Sequence, residues 1–454
     1  MADAVPGRRR RKWGAALAGA LVVLGVAGTI VGGILSDAGL LPGDSMELAW
    51  QAPVDRSAAA YGNGDWLVGD TVVRSRYDAV TAFDAGSGQR RWEYVVPGRD
   101  EVCAVSKAAD GSVALLAHGE RRRADAQGEV EQDGGCATVT ALDLTSGQEL
   151  WHTRRAPGTG ELVAELDLVA TGGGLAVVRD IDDGWRYESS EPRGVLRGDQ
   201  ALRAFDLRTG IPRWKAAVAE GCVPHRVAAA ARQVVAVLVC ERTELRLAAF
   251  DPADGKERWI VPLDRRSVGL EADVTFLSAD PPVVRVVAAE TSGLRAYLAF
   301  GPDGRPQGRV EFDGGAGKID VYEPARVTVD GEGGRLLAVT STRCRQWQCD
   351  QVVAFDLSDG RELWRTPLNS RDKGLALRSV GDRVTVLVDR GFKQSRKEGL
   401  YVLDAATGDR EDRRSYSEDV DRDKPIADLI VHDDLVIAVQ SGEGVRPFAA
   451  YRPW

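Results

Sequence analysis

One stretch recurs along this chain and constrains its fold more than any other feature. "VVAFDLSDGRELWRTPL" (residues 352–368) sets Asp356, Gly360 and Trp364 at intervals of four. The same frame holds Asp84, Gly88 and Trp92, then Asp143, Gly147 and Trp151. It returns with Asp206, Gly210 and Trp214, and with Asp251, Gly255 and Trp259, giving five intact copies of A-[FL]-D-x3-G-x3-W. Two copies are worn. "YVLDAATGDRED" keeps Asp404 and Gly408 but has Asp412 in the Trp slot, and "YLAFGPDGRPQGRV" keeps Ala299 and Phe300 before losing register. A last fragment, "PFAAYRPW", places Ala450 and Tyr451 in the Ala-Phe positions. Self-similarity at a fixed period is read before any other signal, because it sets the whole architecture.

The spacing has a physical reading. Ala, Phe and Asp end a strand whose alternate side chains face opposite sides of a sheet. Asp, Ser, Thr and Gly then build a tight turn, with Gly free to take positive φ and Asp able to accept from nearby backbone amides. A second strand returns through the Trp. Each unit of about fifty residues supplies four strands; in the sixth they read "RVTVD", "RLLAVTST", "QVVAFDL" and "ELWRTPL". A four-stranded sheet cannot bury both faces alone, so neighbours stack, and a closed ring of such blades protects the sheet edges. The flat Trp suits packing between a blade and the next unit's turn.

The ends predict ring closure. "ELAWQAP" (Glu47 to Pro53) is a Trp strand with no Ala-Phe-Asp strand before it, and "PFAAYRPW" is the converse. Joined, they complete an eighth blade. The motif resembles the tryptophan-docking repeat of the PQQ-like, or quinoprotein-type, β-propellers, which include quinoprotein alcohol dehydrogenases and the BamB-like propellers. The resemblance spans residues 46–454 and implies an all-β, eight-bladed propeller of four-stranded antiparallel blades. Fold alone does not set function.

Residues 1–12 form a basic tail, "RRRRK" ending at Lys12, followed by 23 uncharged residues from Trp13 to Leu35. That length spans a bilayer with some tilt, and the basic cluster keeps the N-terminus cytoplasmic. The expectation is a transmembrane helix over 13–35, a linker over 36–45 and an extracytoplasmic propeller. A cleaved signal peptide is the alternative, although its apolar region usually runs about 7 to 15 residues. Arg10-Arg11-Lys12-Trp13 is a faint twin-arginine pattern, and no Cys near the start offers lipid anchoring.

The net charge of −9 includes that basic tail, so the remainder is more acidic still and nucleic acid is not an expected partner. Abundant Arg, Ala, Gly, Val and Asp give the chain the look of the membrane-anchored propellers of actinobacteria, which is likewise a resemblance. Six cysteines suit an oxidising compartment and fall into local pairs. The pairs are Cys103 with Cys136, Cys222 with Cys240, and Cys344 with Cys349. Four histidines and no ligand-like Cys spacing argue against zinc.

Propeller loops sort onto two faces, with A–B and C–D turns on one and B–C and D–A connections on the other. The C–D turns are uniformly short, whereas B–C connections carry inserts at 120–135, 183–200 and 389–399. Insertions confined to one face often mark the binding face, although loops also drift at small cost. The inserts mix Arg, Glu and aromatics (Trp185, Tyr187, Phe392), a composition suited to a protein or glycan partner.

Quinoprotein dehydrogenases typically carry adjacent cysteines beside the quinone and an Asp base beside calcium. Here no two cysteines are neighbours and no acid matches that base. "DVDRDK" (Asp419, Asp421, Asp423) and "DIDDG" (Asp180, Asp182, Asp183, Gly184) hint at calcium loops, but Lys424 stands where the first needs its Gly. The expectation is therefore a non-enzymatic, membrane-tethered binding or scaffold protein without cofactor or metal. The alternatives are a quinone-dependent dehydrogenase with a degenerate site, or a sensing module relaying through a partner.

Overall fold

The computed structural model describes residues 45–54, 64–119, 136, 138–154, 168–180, 201–241, 244–265, 268–269, 271–288, 293–344, 347–390, 398–416, 426–440 and 444–453. Over these the chain is all-β, with eight antiparallel sheets following one another in sequence. Blade 1 runs Gly64–Val68, Thr71–Arg76, Ala79–Asp84 and Arg90–Val95, and these four strands, A to D, set the pattern for the others. The 13–35 stretch lies outside the described residues, and no described helix is long and apolar enough to cross a membrane.

Strand B is buried almost throughout in most blades, for a simple reason. It lies inside its sheet, and both of its faces meet neighbouring blades. Val113–Gly119 and Val234–Cys240 are buried at every position, so alternation gives way to continuous apolar runs. The core is accordingly distributed. Eight apolar clusters sit between successive blades, including one that joins blade 8 to blade 1 through Trp50, Phe83, Ile437 and Phe448.

Closure occurs as the termini imply. Blade 8 takes Ile426–His432, Leu435–Gln440 and Phe448–Arg452 from the C-terminal part and Glu47–Gln51 from the N-terminal part. Trp50 lies opposite Ala450, as Trp92 lies opposite Ala82 in blade 1. In both blades the register shifts by one residue just beyond this pair. The closing segment also reaches backwards, since the Met46 N–H donates to the Ser415 carbonyl of blade 7 at 3.0 Å.

The docking role of the repeat is explicit. Trp50, Trp151, Trp214 and Trp364 donate their indole N–H to Ala85, Leu207, Pro252 and Ala405, each the residue after the Asp of the next blade's turn. Trp92 reaches one residue further, to Thr145. The turn Gly lies flat on the indole at positive φ, and a Cβ there would come within 2.4–2.7 Å of the ring. The Asp fixes the turn: Asp84 Oδ1 accepts from the Ser87 N–H at 2.8 Å, and Asp206 accepts from Thr209 and pairs with Arg213. Hydrogen bonds from Arg213 and Thr209 hold the Asp206 carboxyl down to about 2.

The worn copies have physical reasons. "YLAFGPDG" makes a turn one residue shorter, and Gly304 still stacks on Trp259 while Pro302 accepts its indole N–H at 2.9 Å. Gly308 follows where the blade-5 Trp would stand, and the two backbones meet directly there. The Gly308 N–H donates to Leu357 O at 2.8 Å, replacing the indole. Asp412 faces the junction where blade 8 is assembled from both ends of the chain and no covalent C–D turn exists to dock on. It lies opposite Val402 and pairs with Arg414 instead.

Candidate functional site

The three cysteine pairs are joined as Cys103–Cys136, Cys222–Cys240 and Cys344–Cys349. Cys222 and Cys240 are opposite one another on strands A and B of blade 4. The long inserts, with Trp185, Tyr187 and Phe392, lie outside the described residues, as do Asp419, Asp421, Asp423, Asp182, Asp183 and Gly184. Asp180 ends a strand, paired with Ala201.

What the structure does place on the B–C and D–A face is a cavity of about 1550 Å3 across blades 5 to 7. Blade 6 is built differently from the rest. Its strands B and C, Arg335–Cys344 and Trp347–Asp356, outrun strand A, Val327–Asp330. The surplus edge of strand B is covered by a small ribbon, Asp313–Gly314 with Gly317–Ile319, in which Lys318 and Ile319 pair with Ser341 and Thr340. The Cys344–Cys349 bridge ties the far end of that hairpin. Ribbon, hairpin and the blade 6–7 connection (residues 368–372) wall the cavity.

After the ribbon comes a short 3-10 turn, Pro324–Arg326, packed against the A strands of blades 7 and 8. It delivers Arg326 to the cavity wall with only 3% of its surface exposed. The Arg326 Nε is sealed from solvent with no partner, and its guanidinium makes no ion pair among the described residues. Desolvating a charge without pairing it is costly. Three of the four acids of the same wall, Asp320, Asp350 and Asp372, accept hydrogen bonds within the protein. Asp350 accepts from Ser341 Oγ at 2.7 Å and the Gly374 N–H at 3.0 Å. Asp372 accepts from Tyr401 Oη and faces Arg390 and Arg413, and burial beside that carboxylate pushes the Tyr401 hydroxyl up to about 12. Arg295, Lys318 and Lys373 add positive charge to the lining, and Tyr322 stands 82% exposed at its edge.

A second feature lies on the A strands around the axis. Asp65 of blade 1 and Asp428 of blade 8 are hydrogen-bonded, with Arg74 3.9 Å from Asp65 and Arg378 3.7 Å from Asp428. Burial and the neighbouring carboxyl raise Asp65 to about 7. Lys107, in the A–B turn of blade 2, crosses to donate to the Phe276 carbonyl of blade 5 at 2.7 Å.

Sequence reading missed the cavity because it looked for variation in the B–C connections. The available signal was the unusually long D–A connection between blades 5 and 6, residues 312–326.

The family model described as outer membrane protein assembly factor BamB matches residues 44–194, 137–301 and 290–450. The chain belongs to this family. Among solved structures it is similar to BamB from Moraxella catarrhalis, at 15% identity over 89% of this chain and 99% of that one, with a TM-score of 0.47. It is also similar to the quinohemoprotein alcohol dehydrogenase ADHIIG from Pseudomonas putida HK5, at 12% identity, 89% and 75% coverage and a TM-score of 0.45. A europium-containing methanol dehydrogenase matches at 12% identity, 88% and 85% coverage and a TM-score of 0.46. No curated protein matches. The BamB family therefore describes the propeller, and these distant likenesses do not choose between assembly factor and dehydrogenase.

Proposed function

We propose that this chain is a non-enzymatic binding propeller of the cell envelope, held to the membrane by residues 13–35 with its blades outside the cytoplasm. The observation that carries the reading is the cavity wall of blades 5 to 7. Asp350 and Asp372 are held by protein hydrogen bonds while a buried guanidinium is left without an ion-pair partner among the described residues, which is the charge pattern of a recognition surface. All six cysteines are committed to bridges between non-adjacent residues, so no neighbouring pair is present to serve a quinone in the dehydrogenase manner. The anchor is supported by the uncharged 23-residue stretch behind a basic cluster, and the disulfides suit an exported chain.

The test is to add PQQ and calcium to the purified full-length chain, following its melting temperature and its reduction of an artificial electron acceptor. A binding module shows neither a shift nor turnover. A clear shift with alcohol-dependent reduction would replace this reading with the dehydrogenase.

A further inference from the structure

We propose that the blade 5–7 cavity binds an acidic polypeptide segment, with Arg326 taking one of its carboxylates. The inference deepens the binding-module reading and rests on it. Four observations converge. Arg326 is nearly fully buried, and its Nε has no partner, whereas buried guanidinium groups are ordinarily paired. None of the acids of the lining pairs with it among the described residues: Asp350 and Asp372 accept from Ser341, Gly374 and Tyr401, and Asp320 accepts from the Tyr322 N–H. Arg295, Lys318 and Lys373 of the lining likewise form no ion pair among the described residues, and with Arg326 and Arg371 the wall carries five cations against four acids, Asp313, Asp320, Asp350 and Asp372. The cavity's size then separates a chain segment from a metabolite. At about 1550 Å3 it exceeds the roughly 300–1,000 Å3 of small-molecule sites.

The chemistry follows from the geometry. A guanidinium offers a planar fork that matches a carboxylate through two parallel hydrogen bonds, and in a desolvated wall such bonds are stronger than in water. Arg326 is pre-placed: Pro324 fixes the turn that carries it, and Ala325 is buried in the cluster between blades 7 and 8. The exposed Tyr322, on the same connection, gives a flat face for an apolar or aromatic residue flanking the acid.

An unpaired buried charge costs the free protein stability, and this gives the test a readout that a structural arginine would not produce. The full-length chain is titrated with a fluorescent peptide alternating Glu and Ser, with the matching Gln peptide as control and citrate as the free acid. The Glu peptide binds and the Gln peptide does not, and added salt weakens binding. Arg326→Leu weakens binding by about tenfold or more, and free Arg326→Leu protein melts at or above the wild-type temperature. Arg326→Lys retains part of the affinity. Failure of the wild type to bind the Glu peptide, or equal binding by Arg326→Leu, overturns the proposal. So does an Arg326→Leu protein melting several degrees lower, because the arginine would then be structural. Citrate binding as tightly as the peptide replaces the polypeptide with a small organic acid. These failures leave the binding-module reading standing, which only the PQQ and calcium experiment removes.

Discussion

The sharpest prediction concerns Gly308, where one blade interface dispenses with its Trp. A Cβ at this position would lie 2.6 Å from the Leu357 oxygen and 2.8 Å from the Gly360 nitrogen. Both are backbone atoms of a turn held by Asp356 and cannot swing aside. Ordinary carbon–oxygen contact begins near about 3.3 Å, so blades 5 and 6 must part by roughly 0.7 Å. That separation stretches the Gly308 N–H to Leu357 O bond, worth about 1 kcal/mol, and adds an overpacking cost of about 1–3 kcal/mol. Against this, replacing Gly by Ala in a strand recovers about 0.5–1 kcal/mol of chain entropy. The net expectation for Gly308→Ala is a loss of about 2–3 kcal/mol. For a propeller of about 400 residues the unfolding entropy converts this into a drop of roughly 2–4 °C. Differential scanning calorimetry of the full-length chain reads it, with Gly315→Ala as control, since nothing lies within 4 Å of a Cβ there. A Gly308→Ala protein melting at or above the wild-type temperature would refute direct backbone docking at this interface.

Removing Phe448 to Trp454 strips the strand to which Glu47–Gln51 pairs; losing buried Phe448 and Tyr451 alone should cost more than about 6 kcal/mol, and a truncated chain melting within a degree or two of wild type would disprove closure. Asp65 holds its proton in the folded state up to about pH 7 but only to about 4 unfolded, so its contribution weakens stability as pH rises through that window. Asp65→Asn should flatten this slope, with the gain over wild type largest above pH 7, and parallel denaturation curves from pH 4 to 8 would count against the carboxyl pair. Non-reducing peptide mapping should recover the three bridges. On the loop-entropy account, replacing both cysteines by Ala should cost about 2 kcal/mol for Cys344–Cys349 and about 3–4 for the longer loops; six free thiols would end the matter.

The scaffold was readable because its recurring residues do local jobs at fixed distances. Asp84 builds its turn within three residues, and Trp92 meets the next unit one period on, so each copy carries its own structural reason. The degenerate copies were harder. That Gly304 replaces the lost turn, or that Asp412 has no turn to dock on, depends on which neighbour follows in the ring. The site was less legible still. Arg326 belongs to no repeat, and its interest lies in a missing partner, which only the packing of the surrounding wall discloses. The Asp65–Asp428 contact joins residues of blades 1 and 8, and no spacing along the chain announces it.

The joining of Glu47–Gln51 to Phe448–Arg452 also sets a timetable. At about 5–20 residues per second, a ribosome makes the second strand on the order of 20–80 s after the first. Through that interval the early strand has no partner, and its exposed Glu47 guards an edge that could otherwise template association. Each newly made blade covers the apolar face of the one before it, so a growing arc carries two uncovered faces, one at either end. They remain open until Phe448 settles against Trp50 and Phe83. Only then does the nascent arc stop offering chaperones and proteases a surface to hold.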